Sequence, residues 1–144
     1  MIALAEECFI SQIAEIEKAA FSDAWSERSL ESELFDETGI FLAEVDGGEV
    51  RGYIIGSCDG FSGYIERIAV NAAHRKKGIG KQLLCAFEKA LPETAESISL
   101  EVRASNSPAI GLYGSFGFER AGVRRNMYSS PKEDGIVMIK KVIR

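Results

Sequence analysis

The chain has 144 residues, 46% of them apolar, with 17 basic and 22 acidic side chains and a formal net charge of -5. That length and apolar share fit one soluble globular domain, and no apolar run approaches the ~20 residues needed to span a bilayer. The acidic balance disfavours non-specific attachment to nucleic acid or anionic membrane, and acidic residues near the start, where a secretion signal would be basic, predict a cytosolic protein. Cys8, Cys58 and Cys85 are odd in number and widely spaced, and His74 is the only histidine. Neither a disulfide framework nor a zinc site has its usual pattern, so three reduced thiols and no metal are expected.

Met1 to Leu4 reads as a short strand, and Phe9, Ile13, Ile16 and Ala20 fall on one face of a helix from Phe9 to Ala20. A second helix is predicted from a cap at Ser26 to about Phe35. Ile40 to Val45 and Val50 to Cys58 are two strands joined by Asp46-Gly47-Gly48-Glu49, a hairpin signal. A strand from Gly63 to Val70 leads into the basic run Arg75-Lys76-Lys77-Gly78-Ile79-Gly80-Lys81, after which Ile79, Leu83, Leu84, Phe87 and Leu91 share a helical face. Ser97 to Ala104 alternates Ile98, Leu100 and Val102 with Ser99, Glu101 and Arg103, the pattern of a half-buried strand. Ser105 or Asn106 can cap a short helix with Pro108 in its first turn and Gly117 at its end. Strands near Phe118 to Val123 and Ile136 to Val142 close the chain. No repeat or linker divides it, and the order of elements is that of a mixed α/β domain.

The basic run lies between a strand and a helix, where a chain can hold a diphosphate with its own backbone. Uncapped N–H groups and the positive end of the helix dipole attract anions, Gly78 and Gly80 carry no Cβ to hold a phosphate away, and Arg75, Lys76, Lys77 and Lys81 add positive charge. A Walker loop is excluded because Gly80-Lys81 is followed by Gln82, and a dinucleotide fingerprint because Leu83 stands where its third glycine belongs. The first quarter is crowded with acidic residues, including Glu15, Glu17, Glu31, Glu33 and Asp36. An anionic cofactor and a cationic substrate could therefore approach from opposite directions, although solvated acidic helix faces would read the same.

Arg-x-x-Gly-x-Gly after a strand ending Ile68-Ala69-Val70 resembles the pyrophosphate loop of the GCN5-related N-acetyltransferases. The resemblance extends to Leu100-Glu101-Val102-Arg103-Ala104-Ser105-Asn106, to Leu112-Tyr113-Gly114-Ser115-Phe116-Gly117-Phe118, to Arg124-Arg125-Asn126 with Tyr128 and Glu133 to Met138, and to Phe21 with Trp25-Ser26. It covers about residues 10 to 138 and is similar to the family branch of ribosomal-protein-alanine N-acetyltransferases. It departs at Ala24, where the family usually has proline, and at Met127, where it has the first of two aromatics, and both departures bear on peptide preference.

The resemblance implies a mixed, mostly antiparallel sheet flanked by helices, with acetyl-coenzyme A as cosubstrate and a ribosomal-protein N-terminus as acceptor. It implies that Glu101 is the base, that Tyr113 protonates the departing thiolate, and that main-chain N–H groups of Ile68, Ala69 and Val70 hold the thioester oxygen. Arg75 to Lys81 and Asn106 would then hold the cofactor. The chemistry agrees: an N-terminal amine with a pKa near ~7.7 to 8.0 is largely protonated at neutral pH and must lose a proton before it attacks, and a phenol donates without prior ionisation. Tyr113 could equally be core and Asn106 only a helix cap; His74 reads as a surface loop residue and Cys85 as a small buried apolar group. Lysine side chains or small amines remain alternative acceptors, and a coenzyme A-binding module without turnover is the non-enzymatic alternative.

Overall fold

A computed structural model describes residues 1–143. Among these residues, seven strands and four α-helices follow in chain order: β1 (Ile2–Leu4), α1 (Ile10–Ala20), α2 (Glu27–Glu33), β2 (Gly39–Asp46), β3 (Glu49–Cys58), β4 (Ser62–Val70), α3 (Ile79–Ala90), β5 (Ser97–Arg103), α4 (Ser107–Phe116), β6 (Glu119–Ser129) and β7 (Lys132–Lys141). The strands form one sheet in the order β1-β2-β3-β4-β5-β7-β6. Every neighbouring pair is antiparallel except β4 and β5, which are joined by the α3 crossover and run parallel.

Local chemistry accounts for most boundaries. Ser26 caps α2, its hydroxyl accepting from Ser29 N at 3.1 Å. Gly47 and Gly48 turn the β2–β3 hairpin with φ of 58° and 82°, the doubly positive φ of a tight two-residue turn. Asn106 caps α4, accepting from Ala109 N at 3.3 Å, with proline in the first turn.

The middle of the sheet is buried on both faces. Alternate residues of β4 and β5, including Ile65, Ile98, Leu100 and Val102, pack with α3 and α4 through Leu83, Leu84, Phe87 and Tyr113. The opposite face joins Ala43, Tyr53, Ile55 and Ala69 to Ile13 and Ile16 of α1 and Leu30 of α2.

Two features diverge from the sequence reading. The final hairpin is much longer than expected: β6 runs on to Ser129 and β7 begins at Lys132, not near Ile136. Almost every residue of β6 is exposed because it is the outermost strand, so no apolar alternation marks it. The helix after Ser26 ends at Glu33, and two looser turns, Leu34 N to Glu31 O and Phe35 N to Ser32 O, carry the chain out.

Candidate active site

The parallel pairing of β4 and β5 is short. Ser62 to Ile65 pairs with Ser97 to Leu100, and there the ladder stops. One residue further along β4 the register with β3 slips, Ile55 facing Arg67 and Gly56 facing Ile65, which leaves Glu66 as an extra residue in β4. A bulge of this kind bends a strand, and beyond it β4 and β5 part. A cavity of about 160 Å³ opens in the fork, bounded by Ile65 to Ile68 on one strand and Leu100 to Arg103 on the other. Phe21, Ser22 and Asp23, after α1, close it on one side, and Tyr113, Asn106 and Ala109 of the α4 region close it on the other.

Glu101 and Tyr113 therefore meet at one opening from opposite faces of the sheet. Glu101 alternates with the buried Leu100 and Val102 and so points to the α1 face. Its carboxylate accepts from the Tyr64 hydroxyl on Oε1 and from Arg124 Nη1 on Oε2. Tyr113 lies on the α3–α4 side, buried against Phe118 in an edge-to-face contact with centroids 5.9 Å apart. Burial, and to a lesser extent Tyr128, pushes its phenol above the ordinary tyrosine range, so it is protonated at neutral pH.

The wall formed by Phe21 to Trp25 is tied down by a buried network. Glu17, with none of its side chain exposed, pairs with Arg67 Nη2 at 3.1 Å, accepts from the Tyr53 hydroxyl and receives Trp25 N at 2.9 Å. The Arg67 guanidinium lies over the rings of Phe21 and Trp25, 4.2 and 5.0 Å from their centroids. Arg103 joins the same wall to the last hairpin, donating to the Pro131 carbonyl at 2.8 Å and to Ser22 Oγ at 3.3 Å while lying 4.4 Å from the Tyr128 ring centroid.

The basic run sits on the other side. Arg75, Lys76, Lys77, Gly78 and Lys81 are exposed, and Lys76 and Gly78 have φ of 63° and 78°. Gly78 begins α3 in the left-handed conformation with no side-chain cap, which leaves first-turn N–H groups for an anion. Gly80 also has a packing use. A Cβ there would stand 2.9 Å from Leu112 Cδ2, so its missing side chain lets α4 pack close to α3. Ile79 is buried beneath the loop, Ile68 and Val70 pack toward the same core, and Ala69 faces α1.

Asn106 caps α4 and lines the cavity. His74 lies outside the cavity, 3.2 Å from Glu49 and 3.1 Å from Lys77. Ala24 and Met127 do not line it either; the Met127 sulfur packs over Gly135. The three cysteines are free thiols, and no group of metal-ligating side chains gathers among the described residues. A larger hollow of about 560 Å³ lies by Cys85, Glu88 and Phe116 and includes neither Glu101 nor Tyr113. The sequence reading missed Tyr64, Arg67 and Glu17. One signal was available, since Glu17 stands four residues after Ile13 on the apolar stripe of α1.

Glu66 and Glu33 lie on the α1–α2 side, their carboxyls pushed up first by burial and then by neighbouring acids. No helix among the described residues is long and apolar enough to cross a membrane.

The model of the acetyltransferase (GNAT) family matches residues 10–118, and the chain belongs to that family of acetyl-coenzyme A-dependent N-acetyltransferases. It is 44% identical over 116 residues to the N-alpha-acetyltransferase of Sulfurisphaera tokodaii, covering 71% of this chain and 68% of that one. It is 32% identical over 134 residues to the putative ribosomal protein bS18-alanine N-acetyltransferase of Bacillus subtilis, covering 90% and 87%. The crystal structure of the ribosomal-protein-S18-alanine N-acetyltransferase from Escherichia coli superposes with a TM-score of 0.86 at 29% identity, covering 100% of this chain and 94% of that one.

Proposed function

We propose that the whole chain, residues 1–144, is one N-terminal acetyltransferase domain that acetylates the α-amino group of an N-terminal alanine, with a small-subunit ribosomal protein as its substrate. The observation that carries this reading is the placement of Glu101 and Tyr113 on opposite faces of a forked sheet around one cavity. Relatives named for the same reaction at about 32% identity over most of the chain support the choice of acceptor.

Bound acetyl-coenzyme A supplies an activated acyl group as a thioester. Arg75, Lys76, Lys77, Gly78, Ile79, Gly80 and Lys81 hold its diphosphate, by main-chain N–H groups at the start of α3 and by mobile positive charge around them. Asn106 contacts it at the start of α4. Of the main-chain N–H groups of Ile68, Ala69 and Val70, those of Ile68 and Val70 face the side that β5 no longer covers and donate to the acyl oxygen as it gains charge, whereas Ala69 shares the phase of Asn71, whose N–H bonds Arg51 O on β3. Preorganised amides in such positions are commonly worth ~3 kcal/mol. Glu101 takes a proton from the acceptor amine at the α1 face, and Tyr113 gives one to the sulfur from the α4 face. The acceptor enters between Phe21 to Asp23 and Tyr128, past the acidic rim of Glu66 and Glu33.

A broader preference for protein N-termini is the second reading, favoured by the 44% identical relative whose name specifies no single acceptor. One experiment separates an N-terminal acceptor from a lysine side chain or a small amine. An alanine-initiated peptide, the same peptide with a blocked N-terminus, a lysine-containing peptide and a polyamine are offered with acetyl-coenzyme A, and the acetyl group is located by mass spectrometry. Modification of the free alanine N-terminus is expected; acetyl on lysine or on the polyamine alone would replace this reading.

A further inference from the structure

The two donors to Glu101 are held very differently. Tyr64 comes from β4, where its pairing with Ser99 places its ring beside Glu101 on the same face, and it is half-buried in the sheet. Arg124 comes from β6, the outer edge. Its side chain is 62% exposed while that of Glu101 is only 8% exposed. Among the described residues, Glu101 is the one hydrogen-bond partner of the Arg124 side chain. Just beyond Arg124 the β6–β7 register breaks, and Asn126 takes a φ of 55° with its N–H on Asp134 Oδ1 at 2.8 Å.

This asymmetry decides which contact can give way. Water can hydrate a released guanidinium on an exposed edge strand, and an ion pair with one exposed partner is weak. The nearly buried carboxylate has no such option, because an unpaired charge there is costly. Tyr64 keeps one bond to the carboxylate on Oε1, so Arg124 leaves Oε2 most readily when another cation takes its place.

We propose that Arg124 is a displaceable counter-ion, a positioning residue whose place on Oε2 of Glu101 is taken by the ammonium group of the incoming acceptor. The proposal rests on Glu101 being the acceptor-side base. Binding is then an exchange of one cation for another, and an uncharged, blocked N-terminus cannot make it. Chemistry completes the cycle. An N–H bond of the ammonium breaks, an O–H bond forms on Glu101, and the freed nitrogen lone pair attacks; a second N–H proton, lost as the amide forms, replaces the one that Tyr113 gives to the departing sulfur. The acetylated product carries no positive charge at that nitrogen, so once Glu101 returns its proton to solvent, Arg124 recovers the carboxylate and the product is expelled.

The test compares wild type, Arg124→Ala and Arg124→Lys with an alanine-initiated peptide at saturating acetyl-coenzyme A. Exchange predicts that Arg124→Ala lowers KM for the peptide by roughly two- to fivefold, the scale of an exposed ion pair, and that Arg124→Lys restores it. KM for acetyl-coenzyme A should not move. Exchange also predicts that added salt raises the peptide KM more steeply in Arg124→Ala than in wild type, because only the variant gains a net ion pair on binding. An unchanged or higher peptide KM in Arg124→Ala, with the loss falling on kcat, would mean that Arg124 orients Glu101 and would overturn the proposal alone. A wild-type protein that acetylates no peptide N-terminus would overturn the functional reading and the proposal together.

Discussion

Glu17 and Arg67, fifty positions apart, meet at 3.1 Å beneath the α1 face of the sheet, with side chains 0% and 10% exposed. One guanidinium nitrogen, Nη2, serves Glu17 and also the main-chain oxygen of Asp23 at 2.9 Å. The pair thus joins the core of α1 to the strand that opens the cavity and to the loop that walls it.

Glu17→Ala should be among the most destabilising changes in the chain, at about 3–5 kcal/mol, because it leaves a buried guanidinium and the Tyr53 hydroxyl without their acceptor. Urea unfolding monitored at Trp25 measures it. A loss under about 1 kcal/mol would show that the pair contributes little.

Gly56→Ala tests the bulge. A Cβ at Gly56 would stand 2.3 Å from the Tyr64 carbonyl oxygen and 2.6 Å from the Phe87 ring, neither of which can swing aside. The expected cost is about 2–3 kcal/mol or more, with β3 and β4 forced apart beside the fork. Thermal unfolding reads the stability, and an unaltered midpoint would contradict the close approach.

Glu44 gives stability a pH dependence of known sign. Arg51 Nε donates to it at 2.6 Å, and this contact, opposed by burial, lowers its pKa from 4.5 to about 2. A carboxyl group whose folded pKa is depressed stabilises fully above its unfolded pKa and loses that contribution as pH falls through the folded value. Wild-type stability should therefore drop between pH 4.5 and about 2 more steeply than that of Glu44→Gln. Parallel pH profiles of the two proteins would remove the assignment.

Arg75→Gln with Lys76→Gln should raise KM for acetyl-coenzyme A several-fold while leaving the peptide KM in place, and the effect should grow as ionic strength is lowered. Both side chains are exposed, so the fold should tolerate the change. Equal cofactor KM values at low salt would show that the main chain alone holds the diphosphate.

Replacing Glu101 with Gln and Tyr113 with Phe should each lower kcat by roughly 10²- to 10⁴-fold, the usual worth of a positioned acid or base. Cofactor affinity, measured by calorimetry, should hardly change. Full turnover by both variants across a pH range would refute the assigned roles.

The sequence by itself determined what depends on neighbours along the chain. Period, turn chemistry and caps are local, so the Gly47-Gly48 hairpin, the capped starts at Ser26 and Asn106, the basic entry to α3 and the outward phase of Glu101 were all legible. The C-terminal hairpin was legible only in part, because a strand exposed on both faces is under no pressure to alternate. What only the tertiary structure decided is which distant residues share a space. Tyr64 reaches Glu101 because β4 and β5 run parallel for four pairs and then divide, and Arg124 reaches it because β7 lies between β5 and β6. Strand order and register fix those meetings, and neither is written in any short stretch of residues: a one-residue slip would have turned each of these side chains to the other face.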